Sequence, residues 1–214
     1  MIVILAGVAG SGKSTVGRIL AARLGWPFED SDLLHSASDI AKMVSGKPLT
    51  DADRWPWLET VATWIDHQIT AGRSAVIACS ALKRSYRDFL RHDRPAVEIV
   101  LIQVDEATLM ARLAGRHDHF FPKKLLQSQL ADLEMPAPGD PVLVVPADGS
   151  PAEMAGTIID DLHLTPAQPN AAQPDAAQAD APQPDASQPD ASQADAPRRD
   201  ASQPDAPRPD APSA

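Results

Sequence analysis

Residues Gly7-Val8-Ala9-Gly10-Ser11-Gly12-Lys13-Ser14 fit the pattern G-x-x-x-x-G-K-[ST], with Thr15 directly after. Holding a triphosphate needs these residue types in this order. Glycines permit positive φ, so successive backbone N–H groups can converge on one anion. Lys13 can bridge the β- and γ-phosphates and follow the phosphoryl group as it migrates, while Ser14 supplies an oxygen for Mg²⁺. A plain glycine-rich turn would leave Lys13-Ser14 unexplained. Nor do Gly7, Gly10 and Gly12 give the G-x-G-x-x-G spacing of a dinucleotide fold. An ATP site is therefore expected over residues 7–15, with Lys13 also catalytic.

The loop alone does not separate switch, motor and kinase. A GTPase would carry N-K-x-D for guanine; the chain has none, and it has no L-S-G-G-Q segment. An ATPase would place an acidic pair after an apolar strand, as Val104-Asp105-Glu106 does. The simpler reading makes Asp105 a helix N-cap and Glu106 a first-turn carboxylate. A small-molecule kinase instead needs an acceptor site facing the γ-phosphate and a lid that excludes water. Asp30-Ser31-Asp32-Leu33-Leu34-His35 offers the acceptor site. Asp32 can take the proton of a substrate hydroxyl, Asp30 can order Mg²⁺ through water, and His35 can hydrogen-bond a polyol hydroxyl. Against this stands a bare acidic turn, since D-x-D alone is a weak signal. Residues 112–123 are the lid candidate. Arg112 and Arg116 stand four apart, so both project from one helix face and can neutralise a transferring phosphoryl group. A solvated basic helix end is the alternative there.

The elements that must position these residues follow from hydrophobic period. Residues 2–6, 74–79 and 97–104 are apolar without alternation, as strands buried on both faces are. Residues 26–30 are short and extended, and residues 142–145 form another strand. Helices are expected to about Leu24, over 37–45, from a Thr50 or Asp51 cap through Gln68, over 84–92, from Asp105 to about Gly115, over 124–134, and from Ser150-Pro151 to about Leu162. Strands alternating with helices make a parallel sheet covered on both faces, with ligands at the carboxyl ends of the strands. The expected fold is thus α/β: a three-layer α/β/α arrangement of the P-loop nucleoside triphosphate hydrolase type.

Composition divides the chain at Leu164. Beyond Thr165 the only apolar side chains are alanines and prolines, and eight evenly spaced aspartates from Asp175 to Asp210 face three arginines. The 165–214 tail thereby holds half of the chain's net charge of −10. Without large apolar groups it cannot offset the entropy of ordering, so disorder is expected there and one compact kinase domain over 1–164. One cysteine, Cys79, excludes a disulfide framework and suits a reducing compartment. No apolar run nears the roughly 20 residues of a membrane span, and residues 1–9 read as a buried strand rather than a signal peptide. Net acidity argues against nucleic acid as a partner.

Four segments carry a family pattern, and the two that begin at Lys42 and Cys79 are long enough to be specific. Asp30-Ser-Asp32-Leu-Leu-His35 is followed by Lys42-Met-x-Ser-Gly-x-Pro-Leu-x-Asp51-x-Asp53-Arg54-x-Pro-Trp57-Leu. Then come Cys79-Ser-Ala-Leu-Lys83-x-x-Tyr86-Arg87-Asp-x-Leu-Arg91 and His119-Phe120-Phe121. Over residues 2–162 the chain resembles the gluconokinase family, which is similar in fold to shikimate and adenylate kinases. The resemblance implies ATP-dependent phosphorylation of D-gluconate to 6-phosphogluconate with Mg²⁺, in the cytoplasm, commonly by a homodimer, with His119 among the substrate-binding residues. A sugar acid offers one carboxylate and several hydroxyls. Arg54, Lys83 and Arg87 are the candidates for the carboxylate, Arg54 favoured for its planar fork. Trp55, Trp57 and Trp64 read as core, and Cys79 as packing rather than nucleophile. Two positions depart from the family pattern: Ser36 where proline usually follows the histidine, and Asp39 where asparagine is expected. An extra carboxylate there would repel the substrate unless it points away or pairs with Lys42. A kinase of another small polyol or sugar acid, and a nucleotide-binding ATPase module, remain the competing readings.

Overall fold

A computed structural model of the chain describes residues 1–114 and 123–167. Among these residues, five strands alternate with seven α-helices. The order is β1 (Ile2–Ala6), α1 (Lys13–Leu24), β2 (Phe28–Asp30), a 3₁₀ turn (Ser31–Leu34), α2 (Ala37–Val44), α3 (Asp51–Thr70) and β3 (Ala75–Ala78). There follow α4 (Arg84–Arg91), β4 (Val97–Gln103), α5 (Glu106–Ala114), α6 (Lys123–Asp132), β5 (Val142–Pro146) and α7 (Pro151–Asp161). The strands form one parallel sheet in the order β2-β3-β1-β4-β5.

The apolar runs produce this arrangement because each central strand must be covered twice. In β1, Ile2, Ile4 and Ala6 pack with Trp57, Leu58, Val61 and Ile65 of α3 and with Tyr86 and Leu90 of α4. The intervening Val3 and Leu5 pack with Val16, Leu20 and Leu24 of α1 and with Met154 and Ile158 of α7. Burying each such side chain contributes roughly 1.5–3 kcal/mol, so the two cores hold the three layers together. A smaller cluster of Val8, Leu82, Leu109 and Leu126 seats α5 and α6 beside the glycine-rich loop.

Caps fix where the helices begin. Thr50 and Asp53 exchange capping-box hydrogen bonds at the start of α3, as do Ser150 and Glu153 at α7, where Pro151 opens the helix. The Asp105 carboxylate accepts the Thr108 N–H at 2.8 Å and the Thr108 hydroxyl at 2.7 Å. Asp105 is therefore a helix cap, and the ATPase reading of Asp105-Glu106 loses its support. The helix expected over 124–134 ends at Asp132, because the Glu134 N–H leaves the helical ladder and donates to the Leu82 carbonyl.

No helix among the described residues is long and apolar enough to cross a membrane. The last described residue, Ala167, donates its N–H to the Arg23 carbonyl at the end of α1. The segment expected to be disordered beyond it, and residues 115–122 of the lid candidate, lie outside the described residues.

Candidate active site

The carboxyl edge of the sheet gathers the expected residues from separate elements. Gly7, Gly10 and Gly12 all take positive φ, at 137°, 81° and 103°. At Gly7 a Cβ would also stand 2.9 Å from the Ile102 carbonyl oxygen, so no larger residue fits. The Gly7 N–H donates to the Ser80 carbonyl and ties the loop to the end of β3. Lys13 opens α1 and donates to the Val8 carbonyl at 3.0 Å. Ser14 donates its hydroxyl to Asp30 Oδ2 at 2.6 Å, and Thr15 follows, exposed. The Ser14–Asp30 pair forms although β1 and β2 are not neighbours, because α1 lies across β3 and β2 and carries its first turn to the end of β2. Two hard oxygens at the start of a helix are the donor chemistry a magnesium ion takes beside nucleotide phosphates.

Arg112 reaches the same loop: its guanidinium donates to the carbonyls of Ser11 and Ala147, both at 3.3 Å. Arg116 and His119 lie outside the described residues.

Across from the loop is a cleft whose lining includes Ala9, Lys13, Asp32, His35, Arg54, Trp57, Ser80 and Gln129. Asp32 is exposed, and its N–H is held by Asp30 Oδ1 at 3.2 Å. His35 stacks on Trp57, with ring centroids 4.4 Å apart and planes within 10°. Trp57 belongs to the core, as its spacing suggested, and donates its indole N–H to the Ser31 carbonyl. It also aims His35 at the cleft. Burial lowers the His35 pKa below its ordinary value, against the opposing pull of Asp32 and Asp39. A neutral imidazole can accept a hydroxyl proton in a hydrogen bond, which an imidazolium cannot.

The two departures from the family pattern are partners of each other. Ser36 caps α2, accepting the Asp39 N–H at 3.1 Å and donating to Asp39 Oδ2 at 2.7 Å. Of the two alternatives for Asp39, the pairing with Lys42 does not form. Lys42 bonds Asp53 instead, and that contact with the Thr50 cap holds the Asp53 carboxyl well below the usual carboxylate range. The other side of Asp39 faces His35 Nδ1 at 3.8 Å.

The three candidate cations part company. Arg54 lies in the cleft, 8% exposed, and its Nη1 donates to Asp132 Oδ2 at 2.7 Å. Lys83 is not among the cleft's lining residues; its ammonium donates to Asp51 Oδ1 at 2.7 Å and stands 3.8 Å from Asp132 Oδ1. Arg87 is also absent from the lining. It is 2% exposed and donates to the carbonyls of Ala81, Leu82 and Glu134, tying the start of α4 to the chain after α6. With its donors turned on backbone oxygens, Arg87 is placed to hold the fold. Cys79 is fully buried, and burial pushes its thiol up to about 12, which fits packing and not nucleophilic attack.

One residue of the cleft lining and one beside it gave no sequence signal. Gln129 Oε1 accepts the Ala9 N–H at 2.6 Å, and Asp132 one turn later holds Arg54. A glutamine and an aspartate on a helix carry no spacing that marks them as functional.

Comparison with known proteins agrees with this geometry. A family model described as an AAA domain matches residues 2–136. The gluconokinase of Gluconobacter oxydans (strain 621H) is 48% identical over 148 residues, covering 69% of this chain and 83% of that protein. Among solved structures, a sugar kinase from Janibacter sp. HTCC2649 superposes with a TM-score of 0.72 at 40% identity, covering 76% of this chain and 94% of that one. A gluconokinase from Sinorhizobium meliloti 1021 gives 0.65 at 38% identity, with 75% and 94% covered. With a glycine-rich loop, an exposed aspartate and a buried arginine meeting in one cleft, the chain belongs to the gluconokinase family, ATP-dependent kinases of the P-loop fold.

Proposed function

We propose that the chain transfers the γ-phosphoryl group of ATP to D-gluconate, giving 6-phospho-D-gluconate and ADP. One observation carries the reading: a single cleft is lined by Lys13 of the phosphate loop, by Asp32 and His35, and by the buried Arg54. In this reading the loop from Gly7 to Thr15 holds the triphosphate through its N–H groups. Arg54 takes the sugar-acid carboxylate, and His35 orders a hydroxyl. Asp32 accepts the proton as the substrate hydroxyl oxygen bonds to the γ-phosphorus and the bond to the ADP oxygen breaks. Lys13 and Arg112 face the negative charge that spreads over the transferring group, and Arg116 and His119 complete the set on sequence grounds alone. Lys83 lies one carboxylate further out than Arg54 and acts through that cluster.

Mg²⁺ would be held by Ser14 and, through water, by Asp30, and would neutralise charge on the phosphate oxygens. A cytoplasmic, homodimeric enzyme acting on a small molecule, without nucleic acid or membrane as partner, accords with the acidic composition and the family resemblance. Sedimentation would test the dimer. The reading itself is tested by ADP release in a coupled assay over a panel of sugar acids and polyols. Release that depends on D-gluconate is expected; equal release with water as the acceptor would sink it.

A further inference from the structure

One face of α6 turns toward the cleft with residues three or four apart: Leu125, Ser128 and Gln129 line it, and Asp132 reaches Arg54 from the same side. Two of these side chains already make contacts that the ligands would need. The Ala9 N–H belongs to the loop whose amides converge on phosphate, and it donates to the Gln129 amide oxygen at 2.6 Å. Arg54 Nη1, on the acceptor side, donates to a carboxylate at 2.7 Å. We propose that α6 carries internal stand-ins for both ligands, Gln129 for a phosphate oxygen and Asp132 for the substrate carboxylate, and that these two side chains set the affinity for each ligand.

A substrate carboxylate that docks on Arg54 arrives beside a carboxylate already bonded to it, and like charges at such range repel in a half-buried setting. Nη1 is the donor that Asp132 occupies, so its release adds that donor to the ones the Arg54 guanidinium can offer the substrate. Asp132 has somewhere to go. Its other oxygen, Oδ1, is 3.8 Å from the Lys83 ammonium, so a small rotation exchanges an arginine partner for a lysine partner without leaving the carboxylate bare. Lys83, which is absent from the cleft lining, thereby gains a role: it receives the displaced aspartate. On the nucleotide side Gln129 needs no such receiver, because an amide released to solvent carries no charge.

The inference rests on the reading of Arg54 as the carboxylate site, and the two can fail separately. On the full chain, gluconate and a non-hydrolysable ATP analogue are titrated by calorimetry, and steady-state turnover is measured alongside. Asp132→Asn should lower the gluconate Kd and KM about tenfold, the scale of one charge-assisted hydrogen bond, and leave kcat and the nucleotide Kd unchanged. Gln129→Ala should tighten the ATP analogue about threefold and leave gluconate binding alone. Lys83→Met should raise the gluconate KM in the native background and have no effect once Asp132 is asparagine. A lysine that touched the substrate itself would matter in both backgrounds. Asp132→Ser gives the same test should the asparagine variant melt early. A gluconate Kd unchanged or raised in both Asp132 variants overturns the inference, since an aspartate that merely orients Arg54 would weaken binding when removed. A native protein that neither binds nor turns over gluconate overturns the substrate reading instead, while the Gln129 effect on the nucleotide stays measurable.

Discussion

The two ends of the cleft are built on different principles. The phosphate end is made mostly of backbone: three glycines at positive φ and the start of α1. The acceptor end is made of side chains that are already bonded to one another. Arg54 is on Asp132, Lys83 on Asp51, Asp39 on Ser36, and His35 lies on Trp57. A site made mostly of backbone is preorganised and binds largely by filling, with Gln129 on the Ala9 N–H as a partner to displace; a side-chain site binds by exchanging partners throughout. The first should therefore resist any change of φ, and the second should respond to changes in the competing partner.

The largest effect that tests this division falls where the two ends meet. In the proposed reaction Asp32, at the acceptor end, acts only in the chemical step, so Asp32→Asn should reduce kcat by about 10²–10⁴-fold while the ATP affinity stays within experimental error. Steady-state kinetics with a separate nucleotide titration measures both. A mutant with native kcat would remove Asp32 from the reaction and leave the acceptor end without a base.

The phosphate end is probed at Gly7. An alanine there must hold φ at 137° with its Cβ 2.9 Å from the Ile102 carbonyl oxygen. The strain costs about 1–3 kcal/mol, and it should appear as a lower melting temperature and weaker nucleotide binding, with gluconate affinity unaltered. Thermal melts with and without the ATP analogue measure it. If the alanine variant bound nucleotide normally, the loop would be adaptable, and the contrast between the two ends would collapse.

The same contrast explains what the sequence did and did not disclose. The phosphate loop is legible because its motif encodes conformation locally: Gly7, Gly10, Gly12, Lys13 and Ser14 are consecutive enough to read as one object. The sheet was legible for a similar reason, since strands buried on both faces must be apolar throughout. Asp32, His35 and Arg54 could be named by type and by family resemblance. Arg87 could not be told from Arg54 on those grounds, because what separates them is tertiary. One guanidinium meets Asp132, 78 residues away, and the other meets three backbone carbonyls. Gln129 and Asp132 escaped altogether, for a hydrogen bond to the Ala9 N–H across 120 residues leaves no periodicity behind.

The smallest expected effect lies in His35, and its sign follows from burial. Packing against Trp57 holds the imidazole pKa below the ordinary 6.5, with Arg54 adding in the same sense and Asp32 and Asp39 opposing. As pH falls through 6.5 the unfolded chain therefore takes up a proton before the folded one does. Folding stability should then decline on acidification from that point, and be free of this penalty above it. His35→Gln keeps a hydrogen-bonding group and removes the titration, so melting curves of the two proteins should run parallel above pH 7 and diverge below 6.5, the native chain losing more. If Asp39 governed the imidazole instead, the pKa would be raised and the native chain would gain on the variant as pH fell. Such a reversal would mean that the acceptor end is organised by the Ser36–Asp39 pair rather than by the tryptophan stack, and that its histidine meets the substrate as a cation.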